Sequence, residues 1–542
     1  MSQTTMCLKG AQGGVIGVVM TTIFICTIFS GRMDNSSISD FHNKFDLMQK
    51  STKRKNSELK MNGNIDKCKL KWKNSKVNKT AYETLYDGTA IYHKNYLTLP
   101  KSVKPLYPDP VIRLNPDKFL LPIPHNGPNN QLIGLREATF VAIRLNRTMV
   151  IPRFFKHFSD GSVTSRKRWY IFPGHRIDIE RYCKFVSCVT IEQFQEACGR
   201  QLDAVVFLQH TTENNLKGWE RYTGMRFRRK VEGYQSGKND PEEANVDFIP
   251  DFPVPGGRKY RKFFAKEIKG LFESEARCVV YPDPLYNLLL RKPRKRKISE
   301  LVKNQEDLKR LTDYQLSLSI AVALGSPEYI KNISKDFVSN KLKNRPFVSV
   351  HWRYNEEDFM RRCQHNVSNN VLKKKLCQNA MRVKPEHIAQ AIGIKILDLS
   401  QKKINIGDVY IASPPSERKL VAKVAKLLFE KQGWLTFSSL DLDEFMKAKY
   451  DSCEILKLHF EDIVSTIEME ICGLGVSFLG SARSSWTTSV QLARRTSSNL
   501  GLRPGSDGDI FSMSVSAMQG MLMENENIMN RDMAQKSKKM TK

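Results

Sequence analysis

The amino-acid sequence predicts an α/β protein whose strands form parallel sheets. Two observations lead to this fold class: a strand–loop–helix–strand unit at residues 119–152, and a longer series in which strands and helices alternate between residues 347 and 495. Strands that alternate with helices are typical of crossover units, in which neighbouring strands run parallel. The unit and the series together predict two such domains, at residues 111–325 and 326–500.

The first unit begins with a short apolar strand, FLLPIP, at residues 119–124. The next seven residues, HNGPNNQ, have the composition of a turn. Apolar residues then recur at helical spacing from Leu132 to Ile143, and TMVIP at residues 148–152 predicts the next strand. The order strand, loop, helix and strand is the building block of a parallel sheet with crossover connections.

The rest of the chain divides by composition. LDAVVFL at residues 202–208 predicts a further strand, whereas residues 209–345 are charged and irregular, with helical patches around 260–275 and 299–325. The second series starts with FVSVHW and ends with SWTTSVQLARR. Residues 501–542 are polar and Met-rich, and we interpret them as a polar tail.

The N-terminus carries a candidate membrane anchor. Residues 10–31 have no charge, and these 22 residues, at about 1.5 Å per residue, just span a hydrocarbon core about 30 Å thick. A cleaved signal peptide is the alternative, but its cleavage site is poorly formed. An uncleaved signal-anchor places residues 1–9 in the cytosol and the remainder in a lumen. Residues 32–110, rich in Lys, Asn and Ser, predict a flexible stem.

Cysteines and sequons agree with a secretory location. Nine of the eleven cysteines lie outside the tail and the span, and none forms a pair with zinc-site spacing. Such cysteines in a lumenal chain predict a few disulfides and one free thiol. Five N-x-S/T sequons occur, at Asn35, Asn78, Asn146, Asn332 and Asn366. The last four of these are the predicted glycosylation sites. We therefore predict a single-pass type II protein of the Golgi or endoplasmic reticulum membrane.

The chain is strongly basic, with a formal net charge of +31 over 542 residues. A solvated basic surface is the simplest interpretation, and an anionic partner is the alternative. The densest basic run, at residues 291–297, would suggest nuclear import in a cytosolic chain. In a lumenal chain nucleic acid is not expected as a partner, and the run becomes a candidate for steering an acidic substrate.

Three loops stand at the carboxyl ends of predicted strands, where ligands bind in open parallel sheets. The first is HNGPNNQ, in which Gly127 permits close backbone approach and Asn130 and Gln131 stand at a helix N-terminus. The second is HWRYNEED, which contains His351 and Arg353. Of these residues Arg353 is the strongest candidate, because a guanidinium at a strand end can bind phosphate oxygens through two hydrogen bonds.

The third loop, FLGSARSSWTTSV at residues 478–490, has a glycine followed by hydroxyl-bearing residues that open a helix. Ser484, Ser485, Thr487 and Thr488 can offer hydroxyls while the N–H groups of the helix N-terminus point the same way, as in a phosphate site. Taken singly, the first and third loops also have ordinary explanations, as a turn and as a helix cap.

Together these segments resemble the motifs of the GDP-fucose protein O-fucosyltransferases and the wider fucosyltransferase superfamily. That family has a Gly-x-x-Asn-Gln loop, then a helix and an LNRT-hydrophobic-Pro strand, which here are GPNNQ at 127–131 and LNRTMVIP at 145–152. It has a His-x-Arg motif followed by an acidic stretch, here His351-Trp-Arg353. Its last motif, Phe-x-Gly-x-x-x-Ser-x-aromatic-Ser/Thr, begins here at Phe478. The match covers roughly residues 115–497 and is poor within 160–340.

The resemblance implies a GT-B fold, in which two Rossmann-like domains face a cleft, with the acceptor on the N-terminal side and GDP-fucose on the C-terminal side. It implies inverting, metal-independent transfer of fucose from GDP-fucose to a hydroxyl group, with no cofactor. Arg353 would stabilise the charge that builds on the leaving diphosphate, and Asn130 would lie near the reacting centre. The other donor-binding residues that the motifs imply are Gly127, Gln131, His351, Gly480, Ser484, Ser485, Trp486 and Thr487.

The chain departs from the family pattern in one respect. Some members carry a glutamate in the first loop as the base, and HNGPNNQ has none. Glu356, Glu357 and Asp358 follow Arg353 but have the composition of a solvated turn. The general base is therefore unassigned, and proton loss through water or a phosphate oxygen is an alternative.

Two other functions compete with fucosyl transfer. A metal-dependent glycosyltransferase would hold Mn²⁺ through Asp441 and Asp443, although an acidic helix start explains this pair better. A degenerate family member that acts as a lumenal binding protein is the non-enzymatic alternative, which the missing glutamate favours. The sequence does not identify the acceptor: a folded EGF-like or thrombospondin-type repeat, a mucin-like peptide and a glycan all fit.

Overall fold

The computed structural model describes residues 106–156, 170–171, 173–206, 213–227, 247–249, 262–285, 287–290, 300–353, 383–451, 456, 460–481, 484–499, 507–510 and 512–519. These residues all belong to one compact unit, which is built on two parallel sheets flanked by helices. The predicted α/β class with parallel sheets is thus confirmed. The predicted anchor at residues 10–31 and nearly all of the predicted stem lie outside the described residues.

The first half contains the elements up to residue 323. Its strands are β1 (Asn115–Ile123), β2 (Arg147–Val150), β3 (Phe154–Phe155), β4 (Tyr170–Ile171), β5 (Cys188–Val189), β6 (Gln201–Leu202), β7 (Ala204–Val206), β8 (Arg226–Phe227), β9 (Asp247–Ile249), β10 (Phe263–Phe264), β11 (Cys278–Pro282) and β12 (Leu288–Leu289). Its helices are α1 (Pro128–Arg144), α2 (Ile179–Phe185), α3 (Ile191–Ala197), α4 (Glu213–Thr223), α5 (Ile268–Phe272), α6 (Asp307–Arg310) and α7 (Asp313–Ala323).

The first sheet has the strand order β5-β2-β1-β11-β7-β9 among the described residues, and every neighbouring pair is parallel. The predicted unit at 119–152 is confirmed as β1, α1 and β2. Strand β11 pairs with β1 at the centre of the sheet, in register from Phe119 with Cys278 to Ile123 with Pro282. The interpretation of 209–345 as irregular was therefore wrong at residues 278–282, where a short apolar run is bounded by turn residues and gives no periodicity.

Both faces of the first sheet are buried. Phe119 and Leu121 pack into a core on one face, whereas Leu120 packs into a separate core on the other. Successive side chains of a strand point to opposite faces, so a strand that is covered on both sides has to be apolar throughout. This explains why FLLPIP shows no polar alternation.

The second half follows the alternating series of the sequence. Its strands are β13 (Phe347–His351), β14 (Asp408–Ala412), β15 (Leu435–Ser438), β16 (Ser477–Gly480) and β17 (Gly508–Asp509). Its helices are α8 (Glu328–Asn340), α9 (Pro385–Gln401), α10 (Arg418–Gln432), α11 (Ser439–Tyr450), α12 (Phe460–Leu474) and α13 (Ser485–Asn499). The described part of its sheet has the parallel order β15-β14-β13-β16-β17, with β13 at the centre.

The predicted polar tail at 501–542 needs correction at its start. Gly508–Asp509 forms β17, which pairs with β16 and becomes the edge strand of the second sheet. Ile510 and Val515 are buried in the core of this half, and residues 512–519 are helical. A two-residue strand rich in Gly and Asp has no strand propensity of its own, which is why composition misassigned it.

Disulfides are present, as predicted. Cys183 is bonded to Cys188, and Cys198 is bonded to Cys278, which ties the end of α3 to β11. Among the cysteines that the structure describes, the buried Cys472 is a free thiol.

The two halves are joined by buried polar contacts. Arg176 forms a 2.8 Å ion pair with Asp462 of α12, and both side chains are almost inaccessible, at 2% and 3% exposed. Beside it, His175 Nδ1 and the hydroxyl of Tyr329 are 2.9 Å apart. Helices α1 and α13, which follow the first and third motif loops, also contact each other.

Within the part of the chain that the structure describes, every helix is too short or too polar to cross a membrane.

Candidate functional site

The second and third motif segments lie side by side. His351 ends β13 and Gly480 ends β16, and these strands are parallel neighbours in register from Val348 with Ser477 to Val350 with Leu479. Carboxyl ends of adjacent parallel strands share one edge of the sheet, so the two loops leave it together. The first motif loop leaves β1 of the other sheet and runs directly into α1.

A stacked cluster forms where the two loops meet. The ring of His351 lies against the indole of Trp486, with centroids 4.1 Å apart and an interplanar angle of 23°. His351 Nδ1 and Thr487 Oγ1 are 2.8 Å apart, and Trp486 Nε1 donates to Ser465 Oγ at 3.1 Å. These contacts fix the start of α13 against the end of β13.

His351 is uncharged at neutral pH. Its burial, and then the positive charge of Arg353, lower the pKa of the imidazole to about 3. A neutral ring can serve as one hydrogen-bond donor and one acceptor, but it adds no positive charge to the site. The positive charge at this strand end therefore comes from Arg353.

The backbone of Arg353 is held by a hydrogen bond, whereas its side chain is exposed. Its N–H donates to Ser481 Oγ at 2.9 Å, and the same hydroxyl donates to the carbonyl of His351 at 2.7 Å. The preceding Trp352 is buried, and its indole donates to Glu417 Oε2 at 3.0 Å, which anchors the segment. The Arg353 side chain is exposed, and its guanidinium bonds to no other described residue.

Gly480 is required by packing. A Cβ built on this residue would lie 2.2 Å from Thr487 Cγ2 and 3.0 Å from Phe478 Cε1. The glycine of the third motif thus lets Thr487 approach closely enough to meet His351.

The N-terminus of α13 presents an anion-binding arrangement. The helix is 15 residues long and begins at Ser485, so its first N–H groups and its dipole favour a negative charge there. The preceding Ser484 is only 7% exposed, and its hydroxyl has no hydrogen-bond partner among the residues that the structure describes. A buried hydroxyl left without a partner is uncommon in a folded protein, and a bound oxygen-rich group would satisfy it.

The first loop is held from within. Gln131 is fully buried, and its carboxamide donates to the carbonyls of Asn126 at 2.8 Å and Phe155 at 3.0 Å. Its Oε1 accepts from the N–H of Phe155 at 2.8 Å. Asn126 has a φ of 67°, a conformation that asparagine adopts more readily than most residues. The predicted ligand residue Gln131 therefore has its hydrogen-bonding groups engaged in positioning the loop.

Two neighbouring asparagines open α1. Gly127 is its N-cap, and Asn130 is partly exposed in the first turn. Asn129 is buried, and no described residue is hydrogen-bonded to its Oδ1. Sequence reasoning selected Asn130 and passed over Asn129, because the motif specifies only the asparagine next to the glutamine.

Two more site residues were missed. Ser481 was not singled out, although it lies between the motif glycine and the serine cluster and carries the hydrogen bonds that place Arg353. His125, which begins the first loop, was treated as turn composition. The signal that marks both is a hydroxyl or imidazole within two residues of a strand end.

The competing metal motif serves a structural purpose. Asp441 accepts from the N–H and the hydroxyl of Ser438, at 2.7 and 3.0 Å, in the capping box that starts α11. Asp443 forms a 2.6 Å ion pair with Arg418. Each carboxylate thus has a protein partner, which agrees with the interpretation of the pair as an acidic helix start.

Other predicted residues are distributed over the surface or lie outside the described part. Asn146 and Asn332 are both exposed, the first in the turn after α1 and the second on α8. Predictions that fall outside the described residues are Asn35, Asn78, Asn366, Glu356, Glu357, Asp358 and the basic run at 291–297.

A family model for GDP-fucose protein O-fucosyltransferases matches residues 119–497. This chain belongs to that family. The match covers well over half of the chain, includes all three motif segments and makes the protein a fucosyltransferase by family. The resemblance drawn from the motifs is thereby confirmed.

Solved fucosyltransferase structures resemble this family member weakly. POFUT1 in complex with GDP-fucose is 15% identical with a TM-score of 0.45, and the alignment covers 73% of this chain and 99% of that one. POFUT1 in complex with GDP is 16% identical with a TM-score of 0.42 over the same shares. The fucosyltransferase NodZ from Bradyrhizobium is 12% identical with a TM-score of 0.31, covering 69% and 93%. No curated protein matches the chain. The family assignment rests on the family model.

Proposed function

We propose that this family member transfers fucose from GDP-fucose to a hydroxyl group of a protein or glycan acceptor, with inversion and without a metal ion. The observation that carries the proposal is the meeting of three anion-binding elements at the ends of β13 and β16. These are the open guanidinium of Arg353, the unpartnered hydroxyl of Ser484 and the N-terminus of α13.

Each of these elements has a role in expelling a diphosphate. As the bond between fucose C1 and the β-phosphate oxygen breaks, negative charge grows on that oxygen. Arg353 would stabilise this charge through forked hydrogen bonds, and Ser484, Ser485 and the α13 N–H groups would hold the phosphate oxygens. A preorganised site needs no movement of charge at the moment of reaction, so the described geometry suits leaving-group stabilisation.

The other motif residues would act by position. Trp486 and Thr487 bind His351, and Gly480 makes room for them, so these four residues would keep the phosphate site in shape. In the first half, Gln131 shapes the loop that would bring Asn130 and Asn129 towards the sugar. This division corresponds to a GT-B enzyme with donor contacts mainly in the second half.

The proposed location is the lumen of the Golgi or endoplasmic reticulum, with an N-terminal anchor. The two disulfides and the exposed sequon residues Asn146 and Asn332 support an oxidising compartment. Protease protection of residues 32–542 in sealed microsomes and a mobility shift on deglycosylation would test the topology.

Transfer itself can be tested with the full-length chain in detergent. Labelled GDP-fucose would be incubated with folded EGF-like and thrombospondin-type repeats, a mucin-like peptide and a glycan, each with and without excess EDTA. We expect label on one acceptor class, at an unchanged rate in EDTA and with inverted configuration at C1. GDP binding without transfer to any acceptor or to water would instead identify the protein as a catalytically degenerate member of its family.

A further inference from the structure

The first motif loop contains a histidine, His125, that has no part in binding the leaving group. His125 follows β1, a central strand of the first sheet, and stands five residues before Asn130 in the first motif loop. Its side chain is exposed, and neither ring nitrogen is hydrogen-bonded to a described residue. A histidine at the carboxyl end of a central parallel strand is placed where ligands bind.

Aromatic stacking holds the ring of His125 in place. It stacks on Phe155 with centroids 5.7 Å apart and an interplanar angle of 16°. Phe155 is in turn fixed by its two backbone hydrogen bonds to Gln131. The ring of Phe155 also packs against Tyr170 and Tyr222, at 5.2 and 5.5 Å. The glutamine of the family motif therefore supports the surface on which the imidazole lies.

Asp283 stands beside this histidine. It follows β11, the strand next to β1, and its N–H donates to the carbonyl of Ile123 at 3.0 Å. The protein packed around the ring desolvates the imidazole although the side chain keeps access to solvent, and this effect lowers the pKa of His125, while the negative charge of Asp283 offsets the lowering only in part. On the Phe155 side the guanidinium of Arg153 lies over the Tyr170 ring at 5.7 Å, and Arg153 and Arg221 both act electrostatically on Tyr170.

We infer that His125 is the general base that removes the proton from the acceptor hydroxyl, with Phe155 holding its ring and the negative charge of Asp283 stabilising its protonated form. The inference rests on the proposed fucosyl transfer and supplies the base that the sequence left unassigned. It assigns the first loop a chemical role, whereas the second and third loops hold the leaving group.

In the proposed step the acceptor O–H bond breaks and its proton moves to a ring nitrogen of His125. The acceptor oxygen forms a bond to C1 of fucose as the bond from C1 to the β-phosphate oxygen breaks. The electron pair of that bond leaves with GDP, and the imidazolium later returns its proton to water. A histidine that is neutral at pH 7 is ready for this role before the acceptor binds.

A second described carboxylate, Glu137, also has partners at this edge and is not available for the step. Glu137 of α1 is buried and accepts from the hydroxyl of Tyr281 and the N–H groups of Asn287 and Leu288, at 2.8, 2.9 and 3.1 Å. It holds the loop that follows β11. His125 and Asp283 are thus the pair that the geometry offers among the described residues.

The test compares His125→Gln and Asp283→Asn with the wild type in the full-length chain. GDP affinity is measured by calorimetry, and fucose release from GDP-fucose to acceptor or water is measured from pH 5 to 9. We expect His125→Gln to bind GDP within about twofold of the wild type and to lose about 10²–10⁴-fold in rate. The fall in rate at acid pH should disappear in the same variant, because it reports protonation of the imidazole. His387→Gln, on α9 of the other half, is the matched control and should behave as wild type.

Asp283→Asn makes a second, graded prediction. Loss of the negative charge should lower the pKa of His125 further, so the acid limb moves to lower pH while the rate falls less than in His125→Gln. Wild-type rates and an intact acid limb in His125→Gln would overturn the assignment. A wild type that binds GDP but releases no fucose to any acceptor would overturn the transfer reaction and the base together. Transfer with a pH profile that His125→Gln leaves unchanged would overturn only the base.

Discussion

Replacement of Gly480 by alanine should damage the candidate phosphate site without touching a ligand. The added Cβ would lie 2.2 Å from Thr487 Cγ2 and 3.0 Å from Thr487 Oγ1. Carbon atoms in contact are about 3.5–4.0 Å apart, so Thr487 has to move by about 1.5 Å. Such a movement cannot preserve the 2.8 Å contact between Thr487 Oγ1 and His351 Nδ1.

The size of the effect follows from these contacts. Overpacking costs about 1–3 kcal/mol of folding free energy, and a buried ring nitrogen left without a partner costs about another 1–3 kcal/mol. A displacement of about 1 Å at a catalytic constellation lowers the rate by about 10²-fold. We therefore expect Gly480→Ala to lower the melting temperature, weaken GDP binding and lower kcat/KM by about two orders of magnitude.

A second substitution makes the reasoning refutable. Thr487→Ser keeps the hydroxyl that meets His351 but removes the methyl group that the new Cβ would strike, so Gly480→Ala should do less damage in that background. Gly218→Ala is the matched control, because a Cβ on this helical glycine meets no atom within 4 Å. It should be neutral or slightly stabilising. Wild-type affinity and stability in Gly480→Ala, or equal damage in both backgrounds, would refute the packing argument.

Three further variants test other parts of the molecule. Arg353→Lys should lose about 10²–10³-fold in kcat, because lysine cannot form the forked contact, and near-normal turnover would refute its role. Arg176→Met removes the cation that forms an ion pair with the buried Asp462 and should cost about 3–5 kcal/mol in chemical denaturation, much of which the double change with Asp462→Leu should recover. Burial raises the pKa of Glu468 to about 8, so this group favours the folded state at low pH and its contribution falls as pH rises towards 8. Glu468→Gln should flatten that part of the thermal stability profile, and an unchanged profile would refute the linkage.

The sequence located the elements of the fold better than their arrangement. Long periodic segments such as α9 and α10 were predicted because their apolar spacing is strong and local. Strand β11 was missed, although it lies at the centre of the first sheet. Its five residues follow a charged region, and only the neighbouring strands β1 and β7 make it a strand. Tertiary pairing of this kind leaves no periodic signal in a short segment.

In the candidate site as well, the positions of the motif loops were predicted better than the roles of their residues. All three motif loops follow strands, as predicted from the short apolar runs that precede them. The roles of Gln131 and Thr487 could not be read from the sequence. The motif has the same residues whether these side chains bind the ligand or bind other residues of the protein. Only the hydrogen bonds of Gln131 to residues 126 and 155 distinguish the two.

Because several motif residues position other residues, few groups are left to contact the ligand in the proposed chemistry. In the third motif, Gly480 makes room, Thr487 and Trp486 hold His351, and Ser481 places Arg353. Among the described residues of this site, the groups open to a ligand include the guanidinium of Arg353, the hydroxyl of Ser484 and the end of α13, and these groups favour an anion without specifying its identity. A phosphate site assembled in this way would hold the leaving group, while the proton acceptor that we propose lies in the first loop. Among the described residues of that site the imidazole of His351 is neutral, buried and in contact with Thr487, whereas His125 stands exposed at the end of the other sheet, and this contrast is why we infer that the acceptor-side chemistry comes from His125.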